Sequence, residues 1–228
     1  MYFVLMRDLL DKIINFLKWP AAVFALVMLP SLLQSVKYFN FTNVRFLVLL
    51  GGVGLYYMAT RVMDKSLKTT QQVLAHELTH AFFALLTFHK VKSLKIKEDD
   101  TGGVTGFEGK GNWLIIAAPY FFPFFCVVYI IIASIFLIFF KMGIFYNLFL
   151  GYFIGYYLDA VFSQIHEKQT DLIELGPLFC LMFLPSANLW MIGNLLAYNT
   201  KAWDGFVLYQ KLLWHNNLVN LETFFSFL

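Results

Sequence analysis

The chain has 228 residues, of which 60% are apolar and 14% charged, with a formal net charge of +3. Soluble domains sit nearer roughly 45–50% apolar and about 25% charged. That excess of apolar side chains excludes a water-soluble globule and a disordered chain, and two cysteines exclude a disulfide scaffold. The seventeen basic residues are spread through the connections and form no block, which argues against a nucleic-acid partner. What remains is an α-helical polytopic membrane protein, a single integral membrane domain over 1–228 with the lipid bilayer as its surroundings.

Residues 1–18 mix apolar positions with Arg7, Asp8, Asp11, Lys12 and Lys18, a pattern that predicts a helix lying at the membrane interface. Asp8 and Asp11 interrupt the first apolar stretch, so no cleavable signal peptide is expected. A first span is predicted over 19–36, with Pro20 and Pro30. A second is predicted over 46–63, where Gly51, Gly52 and Gly54 permit close helix contact. The third candidate, 71–89, carries His76, Glu77 and His80 in its middle.

The polar stretch 91–112 follows, with partial alternation at Val91, Leu94 and Ile96 and a turn-rich EDDTGG segment. It predicts a small membrane-associated β segment after the third helix. Residues 113–140 are apolar throughout, longer than the roughly 20 a span needs. Pro119 and Pro123 are expected to divide them into a short leading element and a span from about Phe124. A further span is predicted over 144–165. After the polar HEKQTD, the apolar run 172–198 contains Pro177 and Pro185 and predicts a broken or re-entrant helix. Residues 199–228 are expected at the interface. The total is about six transmembrane helices. No internal repeat is visible, which weighs against a transporter built from repeats. Cys126 and Cys180 lie in apolar segments and read as small buried hydrophobes.

His76 to His80 spell HELTH, the H-E-x-x-H pattern. Positions i and i+4 share one helix face, so both imidazoles can reach one zinc ion while Glu77 stands beside the water on the open coordination position and takes its proton. In a helix starting near Gln71, His76 lies about 8 Å along the axis. Ionisable groups at that depth are costly and mark function. A catalytic zinc takes about three protein ligands plus water. Asp159, His166 and Asp171 are candidates for the third; a carboxylate suits best, and the residues alone leave Asp159 and Asp171 open.

The stretches AHELTHAFFALLTFHKVKSLKI (75–96), TGGVT (101–105) and QTDLIELG (169–176) resemble the site-2 protease family of intramembrane zinc metalloproteases, in its compact bacterial branch without a PDZ domain. The resemblance implies a metalloprotease core over 70–176. In it, His76, His80 and Asp171 bind Zn2+ and Glu77 is the catalytic general base acting on zinc-activated water. It further implies peptide-bond hydrolysis of a membrane protein or peptide substrate in a bacterial inner membrane, with 91–112 on the cytosolic side and the N-terminus outside. The sequence departs from the larger family at two places. Leu158-Asp159-Ala160 is only a partial echo of a Leu-Asp-Gly motif, and Thr79 stands where a Gly is common.

Two auxiliary roles follow from position. His166, Glu167, Gln169 and Thr170 are placed to line a polar route for water, and the β-like 91–107 is suited to strand addition by an extended substrate. The competing readings are a non-proteolytic transporter or ion-binding protein, and a catalytically silent membrane-interaction subunit.

Overall fold

The computed structural model describes residues 2–96, 102–139, 143–166 and 169–226. The first helices are α1 (Tyr2–Phe16), α2 (Lys18–Gln34, continued by a 3-10 turn at Ser35–Tyr38), α3 (Val44–Val62) and α4 (Lys65–Leu86). Strands β1 (Val91–Ile96) and β2 (Gly103–Phe107) come next. The chain then forms α5 (Trp113–Ala117, followed by a 3-10 turn at Ala118–Tyr120), α6 (Phe124–Phe139), α7 (Gly143–Gln164), α8 (Thr170–Leu175) and α9 (Pro177–Ser226).

Among the described residues, three helical segments are long and apolar enough to cross a membrane: Lys18–Tyr38, Gly143–Gln164 and Pro177–Ser226. A fourth is reached by counting Trp113–Tyr120 with Phe124–Phe136, a pair bent by 79°. The six spans expected from the sequence are not reached by this count. The shortfall lies in α3, which has Arg45 and Arg61 near its ends, and in α4, whose first half reads KSLKTTQQ. Large apolar side chains such as Val62, Phe162 and Leu181 are exposed on the outer surface, where a bilayer supplies the apolar surroundings that water does not.

Helix α4 starts six residues earlier than expected because Asp64 caps it, its carboxylate accepting the Ser66 and Leu67 N–H groups. At 1.5 Å per residue His76 then lies about 16 Å from its start. The break expected within 172–198 falls at Gly176, whose φ of 90° suits glycine. Pro177 opens α9, while Pro185 sits inside it. The split at Pro119–Pro123 is as the prolines suggest, with α5 and its 3-10 turn leading into α6.

Helices α3 and α7 pack closely through reciprocal glycines. A Cβ on Gly52 would stand 2.0 Å from the Leu148 carbonyl oxygen, and one on Gly151 would stand 1.9 Å from that of Leu49. Of the three glycines predicted for this role only Gly52 fills it; Gly54 has nothing within 4 Å. Helix α9 breaks at Lys201 and Ala202, and its second limb folds back on the first, with Gln210 donating to Asn194 (2.5 Å). The same limb meets α2, where Asn220 donates to Ser31 (3.0 Å).

Strands β1 and β2 pair antiparallel, Val91 opposite Phe107 and Ile96 opposite Gly103, with an irregularity between Val91 and Ser93. Of the turn-rich segment EDDTGG (98–103), residues 98–101 lie outside the described residues, and Gly103 already opens β2. A buried cluster of Phe83, Ala84, Trp113, Ile115, Tyr120, Leu175 and Phe179 ties α4, α5, α8 and α9 together and sets the frame for the site.

Candidate metal centre

On α4, His76 and His80 are one turn apart and their rings meet edge to face at 4.7 Å. Their Nε2 atoms are 3.0 Å apart. Asp171, in the first turn of α8, brings Oδ2 to 3.3 Å from His76 Nε2 and 3.2 Å from His80 Nε2. The three ligand atoms lie within 4.8 Å of one another. Asp159 lies elsewhere. Its Oδ2 accepts from Tyr56 Oη (2.7 Å), Gln72 Nε2 (2.9 Å) and Lys68 Nζ (2.8 Å). His166 borders a separate apolar groove of about 860 Å³ between α7 and α9.

The outer nitrogens of the two histidines decide what the inner ones can do. His76 Nδ1 faces Gln164 Oε1 at 3.0 Å, and His80 Nδ1 faces the Ile115 carbonyl at 2.8 Å. Both partners only accept, so each Nδ1 carries the proton and donates. Gln164 is held in that orientation by its Nε2, which donates to the Gln72 carbonyl (3.2 Å). In the neutral imidazoles both Nε2 lone pairs therefore point inward, toward a carboxylate oxygen. Three electron-rich atoms facing one another repel, and a cation at their centre relieves that repulsion. The donor set, two imidazoles and a carboxylate, is that of a zinc site, with Gln164 and Ile115 as the outer partners that orient metal-binding histidines.

The Tyr120 hydroxyl donates to Asp171 Oδ2 (3.1 Å), and its ring packs edge to face on His76 at 5.2 Å. Tyr120 itself is fully buried.

Glu77 is 5% exposed and lines one cavity of about 600 Å³ together with His76, His80 and Asp171. Strand β2 closes over it. Thr105 Oγ1 lies 2.6 Å from Glu77 Oε2 and 3.0 Å from the Glu77 carbonyl. Gly103 leaves the room: a Cβ there would come within 2.5 Å of Glu77 Cγ. Of the residues expected to line a polar route, Gln169 and Thr170 border this cavity, His166 does not, and Glu167 lies outside the described residues.

Sequence reasoning missed Gln164, Tyr120 and the Ile115 carbonyl. A backbone carbonyl has no signature in sequence, and a glutamine at a helix end or a tyrosine in an apolar run looks ordinary. Cys126 is fully buried, Cys180 is half-buried, and both are free.

No curated protein and no solved structure is matched by the chain. A family model described as Peptidase M50B-like matches residues 48–209, which takes in α4, the sheet and α8 and covers well over half of the chain. Proteases of this family are typically zinc-dependent. The cluster of His76, His80 and Asp171 lies inside the matched region, and the apolar helices make the chain an integral membrane protein. The chain belongs to the Peptidase M50B-like family, within the site-2 protease family of intramembrane metalloproteases.

Proposed function

We propose that the protein is a zinc metalloendopeptidase of the site-2 protease type, hydrolysing peptide bonds of membrane-embedded or membrane-proximal substrates in a bacterial inner membrane. The observation that carries this reading is the convergence of His76, His80 and Asp171 beside Glu77 in one polar-lined cavity of a chain with membrane-length apolar helices.

In this reading His76 and His80 hold the metal through Nε2 and Asp171 holds it through a carboxylate oxygen. When bound, zinc supplies Lewis acidity toward the scissile carbonyl and makes water acidic enough to attack near neutral pH. Glu77 takes the proton of the attacking water and delivers it to the leaving amine. Thr105 keeps the Glu77 carboxylate from rotating away. Gln164 and the Ile115 carbonyl keep the two imidazoles in the tautomer that leaves Nε2 free. Tyr120 shares the negative charge of Asp171.

Substrate entry follows from the same surfaces. The sheet has two strands, so β2 has an edge not paired with β1, and Gly102 to Thr105 line the cavity. An extended peptide adding along that edge would have its backbone groups satisfied while it lies beside Glu77. A helical substrate must unwind to do so, since its own backbone bonds are internal.

Glu77→Gln tests the reading. The variant keeps the shape of the side chain and loses the base, so it should bind metal like wild type and cleave at least about a hundred-fold more slowly. Membrane proteomes of cells carrying wild type or Glu77→Gln should differ in the substrate, which accumulates uncut in the variant. Equal proteolysis by both would overturn the proposal.

A further inference from the structure

The contact that orients His80 is itself held from the far end of the chain. Ile115, whose carbonyl accepts from His80, donates its N–H to Asn112 Oδ1 (3.2 Å). Asn112 Nδ2 in turn donates to Asp11 Oδ1 (2.7 Å) on α1. Asp11 is 8% exposed, and its other oxygen lies 3.1 Å from Nε2 of His89, which is 1% exposed. His89 Nδ1 lies 3.0 Å from the Thr87 hydroxyl at the end of α4. One buried carboxylate thus reaches both the end of the metal-binding helix and the start of α5.

Further hydrogen bonds from α1 reach the same stretch. Asn15 Nδ2 donates to the Gly111 carbonyl (3.4 Å), and Asn15 Oδ1 accepts from the Trp113 N–H (3.1 Å). The Trp113 indole donates to the Ile14 carbonyl (2.5 Å). Helix α5 has five residues, far below the length at which a helix holds itself together. Its geometry is therefore imposed by what grips it. A buried carboxylate accepting two hydrogen bonds is costly to leave unpaired, which makes this grip stiff. Helix α1, at residues 2–16, lies outside the region the family model matches, 48–209.

We propose that Asp11 is a positioning residue for the metal centre: through Asn112 it fixes α5, and so sets the Ile115 carbonyl that orients His80. Helix α1 is then a working part of the site, beyond its contribution to packing. This inference rests on the metal-centre reading above.

Its test uses the full-length protein in detergent, stripped of metal and titrated with Co2+, whose visible absorption reports ligand geometry. Asp11→Ala should weaken Co2+ affinity about ten-fold, the lower end of what loss of an outer-shell partner costs, and shift the visible band. Asp11→Asn should recover most of the affinity, because its amide oxygen still accepts from Asn112. Ile14→Ala is the control for packing. It trims the same helix where Ile14 touches the core, so it should lower Tm while leaving affinity and band unchanged. Wild-type affinity and spectrum in Asp11→Ala, or equal weakening by Ile14→Ala, would overturn the proposal. Asn112→Ala cuts the same connection one step nearer His80 and carries the same two outcomes if Asp11→Ala does not fold. Asp171→Ala separates the two levels. Undiminished Co2+ binding by that variant overturns the metal-centre reading and this inference with it, whereas its loss leaves the Asp11 result to be read by itself.

Discussion

Two aspartates beside helix α4, Asp159 and Asp171, have surroundings of opposite chemistry. Asp159 on α7 receives a tyrosine hydroxyl, a glutamine amide and the Lys68 ammonium, all on one oxygen. Its charge is matched by the Lys68 ammonium, so the cluster already holds its cation. Asp171 on α8 faces two imidazoles whose protons are committed outward, to Gln164 and Ile115. Apart from the Tyr120 hydroxyl, its close partners there are lone pairs. One carboxylate closes a structural joint between α3, α4 and α7; the other leaves an electron-rich centre. Taking an acid out of water is costly in either case, and what differs is whether its neighbours bring protons or lone pairs.

The largest effect that tests this contrast is expected from Asp171→Ala. Zinc content measured on the purified protein should fall to background and proteolysis with it, since two histidines alone do not make a catalytic site. Zinc retained in full would move the third ligand elsewhere. Next comes Gln164→Ala, which frees His76 to turn and to change tautomer. Competition against a chelator should read an affinity lower by about 10–100-fold. Thr105→Val keeps the shape of β2 and removes the donor to Glu77. Cleavage should slow by about ten-fold, the size of one hydrogen bond to a charged group, with zinc content unchanged. The smallest functional effect belongs to Asp159→Ala. It should leave zinc stoichiometry and activity near wild type and lower stability by about 1–3 kcal/mol, less than for a fully buried pair because Lys68 and Asp159 keep some contact with solvent. Unfolding in detergent reads this as a lower Tm. A loss of zinc in Asp159→Ala matching that in Asp171→Ala would erase the distinction between the two acids.

Much of the site is legible in the residue order. His76, Glu77 and His80 declare themselves because a helix places i and i+4 on one face, a local rule that needs no knowledge of neighbours. The prolines at 119 and 123 likewise mark a break that the chain makes. The number of spans is not legible in the same way. Hydropathy treats every window alike, yet α3 and α4 are stretches with polar or charged residues whose placement depends on the helices beside them. Gly51 and Gly54 looked as suited to close packing as Gly52, and only the facing carbonyl of Leu148 separates them.

By itself the sequence determined that the chain belongs in a bilayer and that one helix carries the H-E-x-x-H pattern at His76 to His80, because composition and short-range periodicity are properties of the chain alone. Tertiary structure decided which acid joins the histidines and which atoms set their tautomers. It also decided that α1, from the other end of the chain, grips the α5 segment behind His80. Those are contacts between residues about 35 to 101 positions apart, and no local pattern encodes which of two similar aspartates a fold will carry to a given imidazole.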